Sequence, residues 1–123
     1  MYYLIIQLFR VEYKEDVLLA LTSCGIKKVN LFDGQNMDKT LHGDIPLFSG
    51  FLKSPDEKER YSVLIMAAVK KKEKAKEVIH LLKEAGIEIQ KRDILRLVLL
   101  PVELLIDNEI EWEKSNDSND ESK

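Results

Sequence analysis

The chain has one cysteine, Cys24, so no disulfide can close within it, and a reducing, cytoplasmic setting is the default expectation. Its two histidines, His42 and His80, stand far apart in sequence, whereas a zinc site draws on three or four ligands at recognisable spacings; no metal is expected. No apolar run approaches the roughly 20 residues of a membrane-spanning helix. The longest are Val63–Val69 and Leu97–Val102, so direct membrane insertion is not expected. Met1–Phe9 is apolar without a basic leader or a small-residue cleavage site, and reads as a first strand. Positive charge is not in excess either. Nineteen Lys and Arg against 22 Asp and Glu leave a formal charge of −3, which argues against bulk attraction to nucleic acid. There is no Gly-x-Ser-x-Gly elbow, no phosphate-binding Gly-Lys-Ser/Thr loop and no dinucleotide fingerprint. Carboxylate pairs such as Asp56-Glu57 fall in solvated stretches where nothing shifts a pKa for acid or base work. The expectation is a protein that is not an enzyme.

What is present is enough for one core: 123 residues, 45% of them hydrophobic and 33% charged. Tyr2–Phe9 is β-branched and aromatic and predicts a strand. From Tyr13 to Cys24, Val17, Leu18, Leu21 and Cys24 recur at helical spacing, with Glu12, Glu15 and Asp16 at the start and Gly25 as the stop. Lys28–Phe32 predicts a short strand closed by Asp33-Gly34. The segment Gln35–Glu59 gathers Gly43, Gly50, Pro46 and Pro55, and reads as a long loop. Tyr61–Val69 is the clearest strand. Lys70–Ala85 predicts a helix with Ala75, Val78, Ile79, Leu82 and Ala85 on one stripe, ended by Gly86. Ile94–Leu100 predicts a fourth strand, Pro101 its end or the start of a helical turn through Ile106, and Ile110 with Trp112 a last edge strand. The remaining 113–123 is acidic, lacks apolar residues and predicts a disordered tail.

The order β-α-β-β-α-β is the split βαβ pattern: an α+β, ferredoxin-like sandwich with a four-stranded antiparallel sheet and both helices on one face. A solvated second face would need polar alternation. Leu4-Ile5-Ile6, Val63-Leu64-Ile65-Met66 and Leu97-Val98-Leu99-Leu100 are instead apolar on both sides. Covering the second face removes on the order of several hundred Å² from water, worth roughly 25 cal/mol per Å². With no third helix to spare, the expected cover is another copy of the same sheet in a symmetric oligomer.

Three stretches, in order, resemble the P-II family of nitrogen-signalling proteins: Asp16-Val17-Leu18-Leu19-Ala20-Leu21 with Gly25-Ile26-Lys27; Lys39-Thr40-Leu41-His42-Gly43 through Gly50; and Val98-Leu99-Leu100-Pro101-Val102-Glu103 with Leu104-Leu105-Ile106. The resemblance covers residues 1–112. It implies a homotrimeric signalling and regulatory protein with sheets facing inward, an adenine nucleotide (ATP, ADP or AMP) between subunits, and loop 35–59 contacting a target enzyme or transporter. The segment matching that family's glycine-rich phosphate loop reads Gln90-Lys91-Arg92-Asp93-Ile94-Leu95-Arg96 and has no glycine, so a backbone phosphate cradle is absent. Lys91, Arg92 and Arg96 remain as candidate side-chain anion ligands, or as an exposed, solvated basic face. The loop has no tyrosine for modification, but Phe48 and Phe51 flank Gly50 and, with His42, form the expected partner-binding surface, the alternative for the two aromatics being to pack back onto the domain. The alternatives with the same fold are an effector-binding dimer of amino-acid-sensing type and a metal-tolerance-like trimer. An RNA-binding sheet ranks behind them because the central strands lack the aromatic and basic residues it needs.

Outside these motifs, Lys70-Lys71-Lys72 opens the second helix, where the dipole disfavours cations; the run reads as an anion-facing patch or as a solvated face compensated by Glu73 and Glu77. Cys24 reads as a small core residue.

Overall fold

The computed structural model describes residues 1–38, 57–91 and 93–107. Among these residues four strands, β1 (Tyr2–Leu8), β2 (Asn30–Gln35), β3 (Tyr61–Val69) and β4 (Leu95–Pro101), and two helices, α1 (Lys14–Ser23) and α2 (Lys72–Glu84), follow in the order β1-α1-β2-β3-α2-β4. The sheet runs β2-β3-β1-β4 and every neighbouring pair is antiparallel. Each helix therefore connects two parallel strands with a third lying between them, the ferredoxin-like arrangement expected from the order of elements.

Both helices end the same way. Gly25 (φ 76°) and Gly86 (φ 88°) adopt the left-handed conformation that side chains resist. The N–H of the following isoleucine then reaches back to a carbonyl in the last turn, Ile26 to Leu21 and Ile87 to Leu82, both at 3.0 Å. Those isoleucines are buried, so each stop also pins the chain to the core.

The core lies between the helices and one face of the sheet. Leu4, Ile6 and Leu8 of β1 alternate inward with Val63, Ile65, Ala67 and Val69 of β3, and Val17, Ala20 and Leu21 of α1 and Ala75, Val78 and Leu82 of α2 close over them. Among the described residues, those that are buried are all apolar. Cys24 is one of them; burial, and next the Glu77 carboxylate, push its thiol pKa up.

Several boundaries differ from the sequence expectation: α2 opens at Lys72 with Lys71 as its N-cap, so Lys70 precedes the helix, and β4 starts at Leu95. β2 starts at Asn30 and runs through Asp33-Gly34 instead of closing there. Lys28 sits at φ 56°, outside strand geometry, and pairing with β3 carries on to Gln35 opposite Tyr61. At Gly34 the missing side chain leaves room for Ser62 Oγ, which would stand 3.4 Å from a Cβ. Pro101 belongs to β4, and 102–107 form no helical turn. Proline is tolerated because β4 is an edge strand, and the next residue, Val102, donates its N–H to the Met1 carbonyl at 3.1 Å. Ala85 is exposed at the end of α2 and does not join the buried stripe. Residues 39–56, Ile110, Trp112 and the tail 113–123 lie outside the described residues. Among the described residues, no helix is long and apolar enough to cross a membrane.

Candidate functional site

The face of the sheet turned away from the helices carries the second set of alternating residues. The register aligns Tyr3 with Ala68 and Leu100, Ile5 with Met66 and Val98, and Gln7 with Leu64 and Arg96. Phe32 extends this surface opposite Leu64. None of these side chains is fully buried; Leu100 is 46% and Phe32 53% exposed. Among the described residues no helix lies on this face, and none of them covers this apolar surface, where a solvated sheet face carries polar alternation.

A cleft occupies each end of the sheet. At the end where β2 leaves for segment 39–56, an open cleft of about 880 Å³ is lined by Gln7, Phe32, Ser62 and Leu64 of the apolar face and by a set of charged groups. Two are cationic, Arg10 and Arg96; four are carboxylates, Asp33, Asp38, Glu59 and Asp93. Arg10 is already engaged: its Nη2 lies 2.5 Å from Glu12 Oε2, and that carboxylate raises the guanidinium pKa. Arg96 lies over the Phe9 ring, 5.9 Å from its centroid, a cation–π contact that holds the guanidinium at the mouth of the cleft.

Of the side chains expected to bind an anion, Arg96 lies in this cleft. Lys91 does not line it: Lys91 stands in the turn after α2, exposed, with its Nζ 2.6 Å from Glu88 Oε1, and Glu88 raises its pKa. Arg92 and the expected loop residues His42, Phe48 and Phe51 lie outside the described residues. His80 pairs with Glu84 across one helical turn, Nε2 to Oε2 2.9 Å. Among the described residues no three His, Cys, Asp or Glu side chains gather as a metal site.

At the opposite end, a second cavity of about 520 Å³ opens between the α1–β2 turn and the start of α2. Lys27, Lys28, Lys70 and Lys74 line it, against one carboxylate, Asp107, whose Oδ1 lies 2.6 Å from Lys28 Nζ. Sequence reasoning named Lys70 as part of the Lys70-Lys71-Lys72 run but not its partners, because only the sheet register brings the turn after Gly25 beside the end of β3. Lys71, at the N-cap of α2, makes no side-chain capping bond. Glu77 pairs with Lys74 at 3.8 Å, and among the described residues Lys70, Lys71 and Lys72 have no carboxylate partner. Stacking cations on the positive end of a helix costs about 0.3–1 kcal/mol each.

In comparisons with known proteins, no family model matches the chain and no curated protein matches its sequence.

Proposed function

We propose that this protein is a non-enzymatic regulatory module that works as a P-II-like homotrimer, with the open sheet faces of the copies packed together. In this reading a small anionic effector of the adenine nucleotide class binds between copies, and segment 35–59 presents itself to a target protein. The observation that carries the reading is the open face: Tyr3, Ile5, Leu64, Met66, Val98 and Leu100 form one apolar surface on strands already shielded from behind by the helices. At roughly 25 cal/mol per Å², burying several hundred Å² of such surface is a strong drive to associate. The four carboxylates of the loop-end cleft set a condition on the effector. Arg96 offers one guanidinium there, so an anion must arrive with counter-charge, from a divalent cation or from a neighbouring copy.

Light scattering on the purified chain tests the assembly: a trimer mass supports the reading, a dimer favours an amino-acid-sensing type of module, and a single-chain mass at micromolar concentration removes it. Calorimetry with ATP, ADP and AMP, with and without magnesium, tests the effector. No heat at millimolar nucleotide would leave a module that reads a protein partner alone.

A further inference from the structure

On a chain of net charge −3, the cavity beside the α1–β2 turn is lined by four lysines and one acid. The cleft at the other end has the opposite balance, two arginines against four carboxylates. The positive lining is assembled from three places: Lys27 and Lys28 follow the Gly25 stop of α1, Lys70 ends the β3 connection, and Lys74 stands in the first turn of α2. Like charges converging on one cavity repel one another, and a multivalent anion relieves all of them together. Ammonium groups on flexible stems act as point charges, without the planar fork by which arginine selects a carboxylate. That suits a compact group with negative charge on several sides. Asn30 adds an amide at the rim, while Tyr3, Ile26 and Leu105 supply an apolar wall.

We propose that this cavity binds a diphosphate group, free or carried on a small organic molecule. Lys27 and Lys70, which have no acidic partner among the described residues, take its outer oxygens, and Lys28 exchanges part of its pairing with Asp107 for the ligand. The site needs one copy of the chain only and stands apart from the loop-end cleft, so it does not depend on the trimeric reading.

The test is calorimetry at low ionic strength on the full chain, using sodium pyrophosphate and an alkyl diphosphate as probes. One pyrophosphate per chain is expected, weakened at least tenfold in the double variant Lys27→Gln/Lys70→Gln and unchanged in Lys91→Gln. Tighter binding of the alkyl diphosphate extends the site onto the apolar wall, and equal affinity confines it to the head group; both uphold the proposal. Because the substituted lysines are exposed, the variants should keep the wild-type melting temperature; amide NMR shifts on the wild type provide a readout that needs no variant. Shifts centred on Lys27, Lys28 and Lys70 support the site. Absence of binding at millimolar pyrophosphate, unchanged affinity in the double variant, or shifts centred on Arg10 and Asp33 would overturn it.

Discussion

The two faces of the sheet are made by the same strands, residue by residue in alternation, yet they have different fates. Ile6 is fully buried, aligned with Ile65 and Leu97 beneath the helices; its neighbour Ile5 lies on the far side with Met66 and Val98 and keeps solvent contact. Both are isoleucines on a central strand, so intrinsic propensity does not separate them. Strand alternation assigns each to a face, and two helices suffice for one face only. The lesson is that apolar character in a strand reports the need for burial without saying whether the chain itself meets it.

The largest expected effect comes from the covered face. Ile6→Ala should cost about 2–5 kcal/mol, read as a fall in the denaturant midpoint, because it removes a side chain from a packed core that cannot fully close around the gap. A weaker loss, below about 1 kcal/mol, would mean that this face is no better packed than the other. Next, Ile5→Glu should leave the individual chain folded by circular dichroism while lowering the mass in solution to that of one chain, since a carboxylate would have to be buried between copies. An unchanged mass would place the assembly surface elsewhere.

Gly86→Ala should cost about 1 kcal/mol in thermal or chemical denaturation, from the left-handed φ of 88°, since no neighbouring atom stands within 4 Å of the added Cβ. This variant keeps all contacts on both faces and so calibrates a purely backbone effect against the two side-chain ones. The smallest effect is one of pH. The buried Cys24 thiol has its pKa raised by burial and by Glu77, with Lys74 acting weakly in the other direction. In the unfolded chain the thiol ionises at its ordinary value, at lower pH than in the folded one. Between those two values the folded state binds more protons, so its stability falls as pH climbs through that window. Cys24→Ala should flatten that part of the alkaline slope; an identical slope would show that the thiol contributes nothing to it.

Much of the architecture was legible in the residue pattern. The stops at Gly25 and Gly86, the inward stripes Val17-Leu21 and Ala75-Val78-Leu82, and the two-sided apolar strands are local signals, and each has its place in the fold. β2 was less legible. Its register is set by its partner, so Asp33-Gly34, a turn signal on its own, is held in the strand by pairing with Val63 and Ser62. The candidate sites were legible only as fragments. Arg96 stood out as a cation at the start of β4, but its neighbours Asp33, Asp38 and Glu59 come from distant segments and reverse the charge balance around it.

Sequence by itself determined the β-α-β-β-α-β order, the helix ends and the surplus of apolar strand residues, because these depend on periodicity and on backbone freedom within a few positions. Only the tertiary structure decided which isoleucine is covered, how far β2 extends, and that lysines 27, 28, 70 and 74 share one cavity while acids crowd the other end. Those outcomes depend on antiparallel register between segments tens of residues apart, and through-space charge and burial carry no trace in the local order of the residues.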